Sequence, residues 1–275
     1  MKQQILVICL LLLSSCIDFS ISEEEMIKAF EGKLNQPVSE TISIDSNHIH
    51  YVYVESGRKN LAVFIHGSPG SWSAFMDYMK NDSLLKLYDM VSIDRPGFGK
   101  SDPGRPVASL EEQARQMNAV IEQFPHENKV WIGHSLGGPV AARVAMDFPD
   151  QVQSMILIAP SIYPAMERYE WYRTWIDTRV GGWFTPQDFW VSNEEILPLK
   201  EELRLMLPMW KKISVPTVVI QGTEDDLVPK ENAEFARRMI RDTLIDIRYL
   251  NEVNHFIPWS HPAEVIKAMD DLAEN

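Results

Sequence analysis

The chain has 275 residues, of which 45% are hydrophobic and 24% are charged, and its formal net charge at pH 7 is −13. That length suffices for one large α/β domain with a small insertion. The acidic balance argues against nucleic acid as a partner, because binding nucleic acid needs basic surface that neutralises phosphates. Only two cysteines are present, Cys9 and Cys16, so a disulfide framework is not expected.

The N-terminal residues have the pattern of an export signal. A basic start at Lys2 is followed by nine apolar residues, Ile5–Leu13. A membrane-spanning helix needs ~20 apolar residues, so this run is too short to cross a bilayer and matches a secretory signal peptide. Residues 13–16 (LSSC) resemble the lipobox of bacterial lipoproteins. The resemblance implies a lipoprotein signal peptide over 1–15 and an exported cell-envelope protein, anchored to a membrane through lipid on Cys16. Ordinary signal cleavage without lipidation is the alternative.

Downstream of the signal, the chain predicts an α/β architecture. Residues 16–38 predict a tether with a short helix at Met26–Glu31, and a hairpin follows over 40–44 and 48–55. Apolar runs predict strands at 61–65, 89–93, 129–133, 153–159, 215–221 and 244–250. Helical patterns lie at 71–81, 109–124, 136–148, 230–240 and 262–273. The alternation predicts a mostly parallel sheet with helices on both faces, whose ligands bind at the carboxyl ends of the strands.

Glycine-rich loops follow two of the predicted strands. Residues 66–70 (HGSPG) come after the strand at 61–65. Their glycines allow the backbone to approach a substrate closely, so the N–H of Ser68 is a candidate oxyanion donor. Residues 94–101 (DRPGFGKS) come after the strand at 89–93, and we interpret Asp94 and Arg95 there as loop scaffolding. His66 and His134, which flank the expected site, are interpreted as structural.

A serine lies at the centre of residues 133–137 (GHSLG), between a predicted strand and a predicted helix. This strand–turn–helix context is where a nucleophilic serine is held out of the backbone. The turn requires small residues two positions before and two after Ser135, and glycine occupies both positions. The geometry also aims the N–H of Leu136 at whatever Ser135 attacks. The segment therefore predicts a nucleophile and a second oxyanion donor.

The interval from Ser161 to about Lys212 interrupts the strand–helix alternation. It contains five of the eight tryptophans of the chain and further tyrosine and phenylalanine residues. Trp171 and Trp175 are four residues apart and would share a helix face, and Gly181-Gly182 predicts a break between helices. We predict a small helical cap after the sixth strand, over residues 161–212. Some of its aromatic side chains are expected to line an apolar pocket.

The acid and base that a serine nucleophile needs are expected near the C-terminus. The strand at 215–221 runs into residues 222–229 (GTEDDLVP), which offer Glu224, Asp225 and Asp226 as the orienting carboxylate. His255 follows the last predicted strand. The chain order is serine, acid and histidine, as in α/β-hydrolases.

From about Val52 to the C-terminus, the chain resembles the α/β-hydrolases of the capped, lipase-like serine branch. The resemblance rests on the four segments quoted above and on residues 255–259 (HFIPW). It implies an α/β-hydrolase core over 39–160 and 213–275. It also implies Ser135 as nucleophile, His255 as general base and then acid, and Asp225 as orienter. Asn254 stands where glycine usually precedes the histidine, and asparagine tolerates a left-handed backbone.

The predicted function is a serine hydrolase that acts on ester or related acyl substrates through an acyl-enzyme. On the same machinery an aminopeptidase-like, lactonase, carbon–carbon bond hydrolase or cofactor-free haloperoxidase activity stays open, and a non-catalytic ligand-binding or scaffold protein is the other class. Serine at residue 135 argues against epoxide hydrolase and haloalkane dehalogenase, whose relatives place aspartate there. No cofactor is expected, and neither a zinc-ligand spacing nor a dinucleotide or P-loop motif is present.

Overall fold

A central mixed sheet dominates the computed structural model, which describes residues 19–168 and 170–273. Among these residues the strands are β1 (Pro37–Ile44), β2 (Asn47–Val54), β3 (Asn60–Ile65), β4 (Tyr88–Ile93), β5 (Asn128–His134), β6 (Ser154–Ile158), β7 (Thr217–Gly222) and β8 (Ile245–Leu250). Their order across the sheet is β1-β2-β4-β3-β5-β6-β7-β8. The β1–β2 and β2–β4 pairs are antiparallel and all others are parallel. The predicted fold class is confirmed. The predicted signal peptide and Cys16 lie outside the described residues.

Helices and short 3₁₀ segments connect the strands. The α-helices are α1 (Glu23–Ala29), α2 (Met76–Met79), α3 (Leu110–Ile121), α4 (Gly137–Asp147), α5 (Trp171–Ile176), α6 (Arg179–Phe184), α7 (Gln187–Met206), α8 (Glu231–Met239), α9 (Ile257–Ser260) and α10 (Pro262–Ala273). The 3₁₀ segments are Trp72–Phe75, Leu84–Lys86, Pro149–Gln151 and Leu207–Lys212. None of the helices within the described ranges is both long and apolar enough to cross a bilayer.

Two hydrophobic cores lie on opposite faces of the sheet. Successive residues of β3 alternate between them: Leu61, Val63 and Ile65 belong to one core, and Ala62 and Phe64 to the other. The first core also contains side chains of α3 and α4, and the second contains side chains of α10. Burial on both faces explains why the central strands are continuous apolar runs in the sequence.

Two helices differ from their predicted positions. The segment predicted as one helix at 71–81 is a 3₁₀ segment followed by the single turn of α2. Helix α1 begins at Glu23 rather than Met26, because Ser22 and Glu25 form a capping box. The Ser22 hydroxyl accepts from the Glu25 N–H, and the Glu25 carboxylate accepts from the Ser22 N–H. Sequence periodicity alone does not reveal such a polar first turn.

Helices α5, α6 and α7 and the last 3₁₀ segment lie between β6 and β7, and we call residues 161–212 the cap. The predicted break at Gly181-Gly182 is wrong, because both glycines lie inside α6. A Cβ on Gly181 would overlap the carbonyl oxygen of Trp175. Glycine therefore permits close packing of α6 against α5. The turn between these helices falls at Asp177–Thr178, where the Thr178 hydroxyl caps α6 by accepting from the Gly181 N–H.

Candidate active site

Ser135 occupies a strained turn between β5 and α4. Its φ of +53° lies in the left-handed region, which non-glycine residues adopt rarely. Its N–H donates to the Ile158 carbonyl at 2.9 Å, which ties the turn to β6. A Cβ on Gly133 would overlap the Gly137 carbonyl, and one on Gly137 would overlap the Ile65 carbonyl of β3. Close backbone packing therefore accounts for the glycine at both positions and holds Ser135 in place.

Asp225 and His255 form a buried hydrogen-bonded pair. The His255 Nδ1 lies 2.8 Å from Asp225 Oδ2. The other carboxylate oxygen accepts from the backbone N–H groups of Leu227 and Val228, at 3.0 and 2.7 Å. The loop after β7 therefore fixes the carboxylate, and the carboxylate fixes the imidazole. With its Nδ1–H directed at Asp225, the ring presents Nε2 as the atom able to accept a proton.

The other two acids of this loop point to solvent. Glu224 and Asp226 are exposed, whereas Asp225 is buried, so only Asp225 of the three contacts His255. Asn254 does not use the left-handed backbone that asparagine tolerates; the left-handed residue of this loop is Glu252, with φ of +59°. Asn254 instead accepts a hydrogen bond from the Phe256 N–H through its side-chain oxygen, at 3.1 Å. This short-range turn takes the place of glycine before the histidine.

One cavity of about 760 Å³ brings the candidate groups together. Its lining residues include Ser68, Ser135, Leu136 and His255, and its apolar wall is made by Phe19, Ala74, Phe189, Ile196, Leu199, Leu227, Val228, Phe256 and Trp259. The loop at 66–70 approaches the turn closely, because a Cβ on Gly67 would lie 3.0 Å from the Ser135 Cβ. Ser68 and Leu136, whose N–H groups are predicted as oxyanion donors, thus line the same cavity as Ser135.

His134 packs against the ring of His255. The two ring centroids are 4.8 Å apart, and His134 Nε2 lies 3.1 Å from the His255 carbonyl oxygen. Burial, with a smaller contribution from His255, lowers the pKa of His134 to about 3. His134 is therefore neutral at ordinary pH and donates from Nε2 to that carbonyl, which supports the position of His255 without adding charge beside it.

The side chains of His66 and Arg95 fix the loop at 66–70 through hydrogen bonds to its backbone. The Arg95 N–H donates to His66 Nε2 at 2.9 Å, so the His66 Nδ1–H donates to the Gly67 carbonyl at 2.7 Å. Burial and the nearby Arg95 guanidinium lower the pKa of His66 well below its usual value. The Arg95 side chain donates to the carbonyls of both His66 and Gly67. These contacts agree with the interpretation of Arg95 and His66 as scaffolding.

Glu195 of α7 is a residue that the sequence did not single out. It is fully buried and pairs with both terminal nitrogens of Arg95, at 2.8 and 3.1 Å. The same carboxylate accepts from the Ser68 hydroxyl at 2.9 Å and from the Gln113 amide at 3.2 Å. Each carboxylate oxygen receives two donors. Burial raises the pKa of Glu195, and the Arg95 guanidinium opposes this. The cap is thereby joined to the residue predicted to supply an oxyanion donor.

Three further residues that line the cavity were not predicted from the sequence. Glu167 accepts from the Ser161 hydroxyl, and burial raises its pKa. Arg173 of α5 also lines the cavity. Phe19 packs edge-on against Phe189 of α7, with centroids 5.9 Å apart, and its carbonyl accepts from the Ser71 hydroxyl. No motif marks these positions, because tertiary packing of the tether and the cap brings them to the cavity.

Within the described ranges, no cluster of three or more histidine, cysteine, aspartate or glutamate residues is arranged to hold a metal ion. The polar groups at the cavity include backbone N–H groups, hydroxyls, imidazoles and a carboxylate. Such a set can carry out proton transfer and nucleophilic attack with the chain's own groups.

Comparison with known proteins agrees with this architecture. The sequence profile of the alpha/beta hydrolase fold family matches residues 61–190. The solved esterase from Exiguobacterium antarcticum superposes with a TM-score of 0.70 at 21% identity, over 86% of this chain and 100% of that one. The chain has the α/β-hydrolase fold.

Two curated relatives share higher identity over shorter segments. The pimeloyl-[acyl-carrier protein] methyl ester esterase of Proteus mirabilis is 33% identical over 118 residues, 42% of this chain and 41% of the relative. Epoxide hydrolase 1 of Caenorhabditis elegans is 30% identical over 161 residues, 58% of this chain and 38% of the relative. The chain thus spans about two fifths of the length of each.

Proposed function

We propose that the protein is a serine hydrolase that cleaves carboxylic esters through an acyl-enzyme. The observation that carries this proposal is the cavity shared by Ser135, on its strained turn, and the buried Asp225–His255 pair. The curated esterase relative is consistent with it. The epoxide hydrolase relative points to another reaction, but that class places aspartate where this chain has Ser135.

In the proposed reaction, His255 Nε2 removes the Ser135 hydroxyl proton as the oxygen attacks the ester carbonyl. The negative charge that develops on the carbonyl oxygen is stabilised by the N–H groups of Ser68 and Leu136. The tetrahedral intermediate then expels the alcohol, which takes its proton from His255. Water, deprotonated by His255, attacks the acyl-enzyme and releases the acid and free Ser135. Asp225 orients the imidazole and stabilises its protonated form.

Steady-state hydrolysis by the full chain tests this proposal. A panel of short- and long-chain acyl esters, lactones and aminoacyl amides is compared for wild type, Ser135→Ala and the matched variant Ser73→Ala. Ser73 also lines the cavity but has no role in the proposed reaction. We expect ester turnover that Ser135→Ala abolishes and Ser73→Ala preserves. Turnover of the amides or lactones with no ester hydrolysis would contradict the assignment of esters.

We also propose that the chain is exported and anchored through lipid on Cys16. The support is the sequence at 13–16 and the preceding apolar run. In a bacterial host, wild type should incorporate labelled palmitate and sediment with membranes, and Cys16→Ala should lose the label. Unlabelled wild type would contradict lipidation.

A further inference from the structure

Exposed aromatic side chains are confined to two segments of the described chain. The exposed tryptophan and phenylalanine residues, which we call the aromatic rim, are Trp171, Trp175, Trp183, Phe184, Phe256 and Trp259. The first four lie on α5 and α6 of the cap, and the last two lie on and beside α9, directly after His255. Trp183 has 85% of its surface exposed. Exposed apolar residues clustered in this way mark an interaction surface.

Two residues of the aromatic rim line the cavity, and the helix that carries two others contributes a lining residue. Phe256 and Trp259 line the cavity while about half exposed, and so does Leu227, which is 67% exposed. Arg173, from the same helix as Trp171 and Trp175, lines it too. A surface that binds Phe256 and Trp259 therefore lies beside the cavity that contains Ser135.

The N-terminal end of the described chain also lies at the cavity. Phe19 lines the cavity and packs on Phe189 of the cap. Cys16 is three residues away in sequence, so an extended chain keeps it within ~11 Å of Phe19. The proposed lipid on Cys16 would therefore hold the cavity opening against the bilayer.

The chemistry of the aromatic rim fits a neutral lipid surface. Tryptophan is favoured at the boundary between headgroups and acyl chains, because its ring is apolar and its N–H is polar. The chain carries a formal net charge of −13, so attraction to anionic headgroups does not hold it there. Apolar contact with a zwitterionic bilayer is the interaction that remains.

We propose that the aromatic rim docks on a zwitterionic lipid bilayer and that the substrate is an ester drawn from that bilayer into the cavity. Only the second clause rests on the proposed function. Docking orients the opening toward the lipid, so an acyl chain passes from the bilayer to Ser135 past Leu227 and Phe256 without crossing water.

The test uses the full chain and phosphatidylcholine vesicles, with and without brominated acyl chains that quench tryptophan emission. The variant Trp183→Glu/Phe184→Glu places two carboxylates in the aromatic rim. Its matched control, Leu34→Glu/Leu205→Glu, places two at exposed positions outside the rim. Leu34 is 95% exposed and Leu205 is 63% exposed, so neither substitution disturbs a core.

Wild type and control should be quenched by brominated vesicles, and the rim variant should lose most of that quenching. Hydrolysis of a vesicle-borne ester by the rim variant should fall about tenfold, because charged residues in the rim oppose interfacial contact, while hydrolysis of a short soluble ester stays unchanged. Absence of quenching in wild type, or equal quenching in the rim variant, would overturn docking even with esterase activity intact. Quenching without any ester hydrolysis would leave docking in place and refute the proposed function.

Discussion

The cavity has two walls of different character. The body wall is built at the ends of β3, β5, β7 and β8, where glycines and backbone hydrogen bonds fix Ser135 and the Asp225–His255 pair. The cap wall is built from Phe189, Ile196 and Leu199 of α7 and from Arg173 of α5, with Phe19 from the tether. Glu195 joins the two walls through Arg95. The groups of the proposed chemistry are therefore held by backbone geometry, whereas the wall that we expect to select the substrate is formed by side-chain packing.

This contrast predicts different consequences for changes in each wall. A substitution in the body wall should alter turnover for every substrate alike. A substitution at the Glu195–Arg95 pair, which we call the junction, should alter the free energy of unfolding. A substitution in the cap wall should alter the preference among substrates.

Asp225→Asn should produce the largest effect. Asparagine in place of the carboxylate allows the wrong imidazole tautomer, a change that typically lowers kcat ~10⁴-fold in serine hydrolases. The neighbouring exposed acid provides the control, and Glu224→Gln should keep kcat within about twofold. Steady-state kinetics on one short and one long ester measures both. A drop confined to one of the two esters would refute the division between the walls.

Glu195→Ala should destabilise the protein by about 3–5 kcal/mol, because it leaves the buried Arg95 guanidinium without its counter-charge. Urea denaturation measures the free energy of unfolding. Glu201 lies on the same helix but pairs with Arg204 at the surface, so Glu201→Ala should change it by no more than about 1 kcal/mol. Equal effects of the two substitutions would show that the junction does not hold the cap.

His134→Gln should reduce the pH dependence of stability. The folded-state pKa of about 3 lies below the unfolded value of 6.5, so between these pH values only the unfolded chain takes up the proton. Stability attributable to this residue is complete above pH 6.5 and falls as the pH drops, by at most about 1.4 kcal/mol per pH unit. Urea titrations at pH 7, 6 and 5 should show a shallower fall for the variant. An equal dependence of the free energy of unfolding on pH in wild type and variant would contradict a neutral buried His134.

Phe189→Ala should produce the smallest effect, in the cap wall. Phe189 lines the cavity, so removing its ring takes apolar surface away from a bound acyl chain, and KM for long acyl esters should rise roughly twofold to tenfold. The kcat for a short ester should not change. Trp190 is a cap aromatic outside the cavity lining, and Trp190→Ala serves as control. A fall in kcat for both esters would contradict this prediction, because it would show that Phe189 affects turnover of every substrate, as a body-wall residue does.

The same contrast explains what the sequence could and could not predict. The glycines around Ser135, the loop at 66–70 and the acid loop are recognisable because tight backbone geometry restricts the residue types allowed. The alternation of apolar runs and helical patterns predicted the sheet, and these loops predicted that the body-wall residues lie near its carboxyl edge. Glu195, Phe19 and the position of Gly181 inside α6 depend on contacts between distant segments, and no local pattern encodes those contacts.

Reaction of the full chain with a fluorophosphonate, followed by mass spectrometry of the adduct, tests whether Ser135 is an activated nucleophile. The reagent phosphonylates a serine only where a base activates it and oxyanion donors face it. We expect one adduct on Ser135 in folded wild type, formed much more slowly in His255→Ala and absent in Ser135→Ala. Folded wild type that carries no adduct on Ser135 would contradict it and would favour a non-catalytic binding protein.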